Sequence, residues 1–146
     1  MEQLNEVICL LQNAKLGFNF INLITKRIIS SEWYDNVSKF CEGFAIVKKD
    51  GLGYSFVNTE GKRITDEWYY GADNFSEGFA MVYKKNLGWN FINTEGKYLI
   101  NEWYDWVDDF ENGFAKVYRT ELEWRNDVYY YVGTDGKLYD SNKRLV

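Results

Sequence analysis

Gly43-Phe44-Ala45, Gly78-Phe79-Ala80 and Gly113-Phe114-Ala115 recur at a spacing of 35 residues, and this period constrains the fold more than any other feature of the chain. Glu32-Trp33-Tyr34, Glu67-Trp68-Tyr69 and Glu102-Trp103-Tyr104 keep the same step, as do Phe40, Phe75 and Phe110. Asn58-Thr59-Glu60-Gly61-Lys62 returns as Asn93-Thr94-Glu95-Gly96-Lys97, then as Gly133-Thr134-Asp135-Gly136-Lys137 after an insertion around Trp124 to Asp127. A period of this length marks copies of one supersecondary unit, each too small to bury its own apolar face and therefore covered by its neighbours.

Each unit reads as three short strands. The first is Phe44 to Lys48, matched by Phe79 to Tyr83 and Phe114 to Tyr118. Side chains alternate across a strand, so Ala45 shares a face with Val47, Ala80 with Val82 and Ala115 with Val117, a small-then-branched face suited to tight burial. The opposite face carries Ile46, Met81 and Lys116, and a position that accepts Lys is expected near solvent. The second strand is Tyr54 to Asn58, matched by Trp89 to Asn93 and Phe18 to Asn22. A glycine turn at Gly61, Gly96 or Gly136 then leads into a third strand near Arg63 to Thr65 or Tyr98 to Ile100. Asn22 to Arg27 lacks that glycine, so its hairpin must close differently. Leu4, Val7, Ile8 and Leu11 have helical spacing, but Leu10 to Asn22 aligns without gaps to Met81 to Asn93 and predicts a strand. Segments such as Trp103 to Gly113 read as connections whose rings fill the space between units.

The expected architecture is all-β: tandem three-stranded antiparallel β-meanders, stacked as a short solenoid or a propeller-like ring. The chain reads as a single repeat domain over 1–146, with units at about 6–36, 43–71, 78–106 and 113–146.

Leu87-Gly88-Trp89-Asn90-Phe91-Ile92-Asn93-Thr94-Glu95-Gly96-Lys97, followed by Glu102-Trp103-Tyr104-Asp105 and Phe110-Glu111-Asn112-Gly113-Phe114-Ala115, resembles the bacterial WG-repeat family. The likeness covers about residues 10–140 and rests on several linked motifs at one period. The chain departs from the family pattern in placing Gly88 before Trp89, in carrying Phe18 and Tyr54 at the equivalent positions, and in lacking the proline before the Tyr-Asp step. The resemblance implies a repeat architecture and binding roles.

Composition narrows the function. Aromatic residues form 19% of the chain, which excludes a disordered reading. With no proline, Gly, Asn and Asp must supply the turns. A net charge of -5 argues against direct nucleic-acid binding and fits a soluble protein or one with a basic partner. Cys9 and Cys41 make no disulfide framework and are expected as free thiols. Acid stands in Met1 to Glu6 where a signal peptide needs base, and Val7 to Leu11 is too short to span a bilayer. A cytoplasmic protein without membrane association is the expectation.

Enzyme chemistry fits poorly. The chain has no His, the commonest general base and metal ligand, and no cofactor motif. Glu32, Glu67 and Glu102 could flank a sugar as acid and base, yet a residue repeated in every unit is expected to serve the unit. Asp105, Asp108, Asp109 and Glu111 form the densest acidic run, but the spacing matches no EF-hand loop, so no metal is expected. Trp33, Trp68 and Trp103 repeat and read as core. Trp106, Trp124, Tyr129, Tyr130 and Tyr131 do not repeat, and read either as a recognition surface or as a cap over an exposed end.

The expected function is a non-catalytic scaffold that binds another protein, as a small inhibitor or adaptor, through Trp106, Asp105, Asp108, Asp109, Glu111, Trp124 and Tyr129 to Tyr131. Exposed edge strands would also allow pairing with a second copy. A glycan-binding module is the alternative, and a glycan-active enzyme the third reading.

Overall fold

The computed structural model describes residues 7–119 and 129–146, and its elements among these are thirteen β-strands. Two compact units divide the chain, Met1–Asn74 and Phe75–Val146. The first holds β1 (Ile8–Asn13), β2 (Gly17–Asn22), β3 (Arg27–Ile28), β4 (Asn36–Val37), β5 (Phe44–Lys49), β6 (Gly53–Asn58) and β7 (Gly71–Ala72). The second holds β8 (Ala80–Lys84), β9 (Gly88–Ile92), β10 (Trp106–Val107), β11 (Phe114–Tyr118), β12 (Tyr129–Gly133) and β13 (Leu138–Tyr139).

In the first unit, β1-β2-β3 and β4-β5-β6 form antiparallel sheets. The N-terminal segment is a strand: Leu10 pairs with Phe20 across the first hairpin. Pairing of Ala45 with Val57 and Val47 with Ser55 puts the small-then-branched face on one side of the second sheet. Phe20 from the first sheet packs into that face with Ala45, Val47 and Val57, and all four are fully buried. A turn without glycine closes β2 to β3, with the Asn22 side chain accepting from the Ile24 and Thr25 amides and Lys26 taking the left-handed φ of 59°.

The second unit repeats the arrangement. Met81 pairs with Phe91 in the β8-β9 hairpin, and β10-β11-β12-β13 form a four-stranded antiparallel sheet. Phe91 and Met81 pack with Ala115, Val117 and Val132 of that sheet, closed off by Tyr104, Val107 and Phe110. In each unit, then, the outward face of one hairpin is buried under the inward Ala-x-Val face of the next sheet. Burying each large apolar side chain contributes about 1.5–3 kcal/mol, so this contact is the main source of stability.

Four details differ from the expectation. Met81 is only 7% exposed, because the following sheet covers it; its equivalent Lys116 is half-buried. Trp33, Trp68 and Trp103 are half-buried, and the core positions fall to the adjacent Tyr34, Tyr69 and Tyr104. The stretch after Trp103 is not wholly a connection, since Trp106 and Val107 pair with Tyr118 and Val117 as β10. The third strands shrink to β3, β13 and single bridges at Arg63 and Tyr98.

Tyr104 is buried for a reason visible in the backbone. It exchanges hydrogen bonds with Trp89, its amide donating to the Trp89 carbonyl at 2.9 Å and its carbonyl accepting from the Trp89 amide at 2.7 Å. This brings the Tyr104 carbonyl against the Cα of Gly88, whose φ of 110° suits only glycine. Buried polar side chains complete the join: the Asn90 amide donates to the Ile100 carbonyl at 2.9 Å, and Asn19 donates to Ser30 and Glu32. At the equivalent place in β6, the buried Ser55 hydroxyl has no hydrogen-bond partner. Ser55→Ala is therefore expected to be neutral or to stabilise by up to about 1 kcal/mol, whereas Asn90→Ala should cost about 1–3 kcal/mol. Chemical denaturation checks both.

Candidate functional site

The outward face of β10-β11-β12-β13 collects the rings that break the repeat. Register places Trp106, Tyr118 and Tyr129 in one row and Lys116, Tyr131 and Tyr139 in the next. Phe114 stands edge-on to Tyr131 (5.9 Å between centroids) and to Tyr139 (5.2 Å), and Tyr129 edge-on to Tyr131 at 5.5 Å. Tyr118 lies 6.0 Å from Tyr129, and Trp106 meets Trp89 edge-on at 5.4 Å. Trp106 is 50% exposed.

Charged groups lock this face. The indole Nε1 of Trp106 donates to Asp108 at 3.0 Å and the Tyr118 hydroxyl donates to the other oxygen of Asp108 at 3.3 Å. Burial, and secondarily the Asp108 charge, raises the Tyr118 pKa. The Tyr139 hydroxyl donates to Asp135 at 2.7 Å, which lowers the Asp135 pKa and raises that of Tyr139. The Lys116 ammonium stands 4.5 Å above the Tyr129 ring, and Lys143 stands 5.0 Å from Phe114 and 5.1 Å from Tyr131.

The residues singled out from sequence separate on this geometry. Trp106, Asp108, Tyr129 and Tyr131 come together. Tyr130 opposes Val117 and packs against the core on the inward side. Asp105, Asp109 and Glu111 are exposed on the flanking turns, where the Asp105 amide donates to the Tyr118 carbonyl and Glu111 exchanges backbone bonds with Phe114. Trp124 lies outside the described residues. Among the described residues, no group of three or more potential ligands could hold a metal ion. Phe114, Lys116, Tyr118, Tyr139 and Lys143 belong to the face but were not singled out; Lys116 carried a signal, as a cation standing where Ile46 and Met81 are apolar.

Three positions by which one sheet grips the next are altered on this last sheet. Lys116 replaces Met81, and Tyr131 replaces the buried Phe91. Glu77, whose carboxylate accepts from the Asn112 and Gly113 amides at 2.7 and 2.8 Å, gives way to Asn112 itself. The face has lost the fittings for a sheet of its own kind while keeping its rings.

The recurring glutamates lie elsewhere and are engaged. Glu32 accepts from the Tyr34 hydroxyl at 3.0 Å and from Lys49 at 3.2 Å, with Arg63 at 3.5 Å, and Glu102 pairs with Arg119. Desolvation pushes the Glu32 pKa up, but the Tyr34 and Lys49 bonds and the two cations outweigh it and hold it below the ordinary 4.5. A depressed carboxylate contributes stability that is present above its unfolded value and lost as pH falls through the folded one. Glu32→Gln is therefore expected to flatten the loss of stability as pH falls below 4.5, by a small amount because the pair is partly exposed. Urea unfolding along a pH series reads this out.

The WG containing repeat model matches the chain at residues 34–52, 54–87 and 89–119, more than half its length, and the chain belongs to that family. No curated protein matches it. Among solved structures, the chain is similar to the computationally designed Ika8 protein, at 10% identity and a TM-score of 0.49. The match covers 96% of this chain and 48% of the designed one, so the chain spans about half the length of that protein.

Proposed function

We propose that the chain is a non-catalytic, cytoplasmic WG-repeat scaffold that binds another protein through the outward face of β10 to β13, as an inhibitor or adaptor. The observation that carries this reading is Trp106, half exposed and fixed by Asp108 at the margin of a face rich in rings. Trp and Tyr dominate the energetics of protein interfaces, because they bury much area at little entropic cost. The absence of a catalytic role is supported by the engagement of Glu32 and Glu102 in ion pairs that serve the repeat.

Trp106→Ala is expected to weaken partner binding by about 2 kcal/mol or more, the usual cost of losing an interface anchor, while the protein stays folded. Affinity of the purified partner for wild type and variant, alongside thermal melts, tests it. Equal affinity would sink the reading.

A glycan-binding module is the second reading, favoured by the same fixed, half-exposed indole, since such rings stack on sugars. Soluble glycans would then shift tryptophan fluorescence in the wild type and not in Trp106→Ala.

A further inference from the structure

We infer that the chain pairs with a second copy of itself through the inward face of β1, β2 and β3, around Cys9, Ile21 and Ile28. This surface belongs to the first unit and the Trp106 face to the second, so the inference does not depend on the binding role proposed above.

The same face is filled in the sheets that follow. Cys9, Leu11 and Ile21 stand at the positions of Ala45, Val47 and Val57 in the next sheet. Those three are fully buried and pack with Phe20 of the preceding hairpin. Ala115, Val117 and Val132 pack with Phe91 in the same way. Cys9 keeps the small apolar side chain and Leu11 the branched one, so the receiving pattern persists on β1. Among the described residues, however, none fills it. Cys9 is exposed, Leu11 and Ile21 are half-buried, and Ile28 is 50% exposed. Leu23 and Ile24 in the adjoining turn are 48% and 74% exposed.

Register collects these groups on one side. Cys9 pairs with Ile21 and Ile21 with Ile28, so the three form an unbroken apolar row across the sheet. In the next row Asn19 stands opposite Leu11, and its amide donates to both the Ser30 and Glu32 carbonyls. Neither row carries a charge.

That charge pattern selects the occupant. Copies of a chain with net charge -5 repel one another, and an uncharged patch is where two can meet at least local cost. A two-fold contact also requires a surface that complements itself, which an aliphatic face does and a patch of one charge sign cannot. A head-to-tail contact is disfavoured. The last hairpin of a copy would bring Lys116 and Tyr131 where Met81 and Phe91 serve within the chain, setting an ammonium against the apolar row. Two such sheets packed face to face cover roughly 600 Å² on each partner, the lower end for a specific interface. The dissociation constant is therefore expected on the order of 10 μM.

Sedimentation velocity across a concentration series tests this. The wild type is expected to dimerise, and more tightly as salt rises, because screening relieves the repulsion between copies and the contact holds no ion pair. Ile28→Lys brings two like charges into the contact and is expected to weaken the dimer about tenfold or more. Leu23→Asn, exposed in a turn and checked by its melting curve, gives the same direction should the lysine disturb folding. Trp106→Ala should leave the dimer intact, and alkylation of Cys9 should slow as concentration rises. A monomer at a hundred times the expected constant overturns the inference; slow Cys9 alkylation in that monomer would mean that the chain's own first residues cover the face. A dimer indifferent to both Ile28→Lys and Leu23→Asn, or one lost in Trp106→Ala, also overturns it by placing the contact elsewhere. Assembly that continues beyond the dimer overturns the two-fold arrangement.

Discussion

Phe91→Ala is expected to destabilise the second unit by about 3–5 kcal/mol, the range for truncating a buried phenylalanine that leaves a cavity. Phe91 is fully buried, meets Phe110 edge-on at 5.0 Å, and packs under Ala115, Val117 and Val132. The cavity cannot close cheaply. Phe110 is also fixed by Phe79 at 4.7 Å, and the strands on both sides are held in register by their ladders. The expected result in urea is a lower midpoint with an unchanged slope. A loss under about 1 kcal/mol would mean that the two sheets do not depend on this contact.

Gly88→Ala is the second large effect, about 2–4 kcal/mol, combining a strained backbone conformation with a forced displacement. An added Cβ would run into the Tyr104 carbonyl, and the paired hydrogen bonds between Tyr104 and Trp89 prevent that carbonyl from moving aside. Gly113 supplies the control. Its φ is also positive, at 84°, but an added Cβ meets nothing within 4 Å, so Gly113→Ala should cost only about 1 kcal/mol of conformational strain. Thermal melts of the two variants separate strain from collision, and equal losses would contradict the close approach at Gly88.

The strands and turns were legible because they are local. Ala115 and Val117 alternate with outward residues, and Gly61 sits at the left-handed position of its turn. Strand β10 was not, since two residues have no period and Trp106-Val107 exist as a strand only through pairing with β11. Tyr104 and Trp103 are both large rings, and nothing local tells which is buried; the hydrogen-bonded join to Trp89 decides it. The site was partly legible for a related reason. Trp106, Tyr129 and Tyr131 break the repeat and could be seen, but Phe114 and Tyr118 conform to it and could not. Tyr130 was grouped with its neighbours although alternation turns it inward. Lys143 follows the last recognised motif, yet Asp140-Ser141-Asn142-Lys143-Arg144 copies the turn of Asn58 to Lys62, with Asp140 accepting as Asn58 does and Lys143 at a φ of 61° where Gly61 stands.

The central claim is that the face around Trp106 binds a protein. Its most direct test compares proteins captured from the native host by the tagged wild type with those captured by Trp106→Ala and by Tyr131→Ala, all three matched in melting temperature. The account predicts a partner enriched by the wild type and lost from both variants. A partner retained by both, or no enrichment at all, would contradict it.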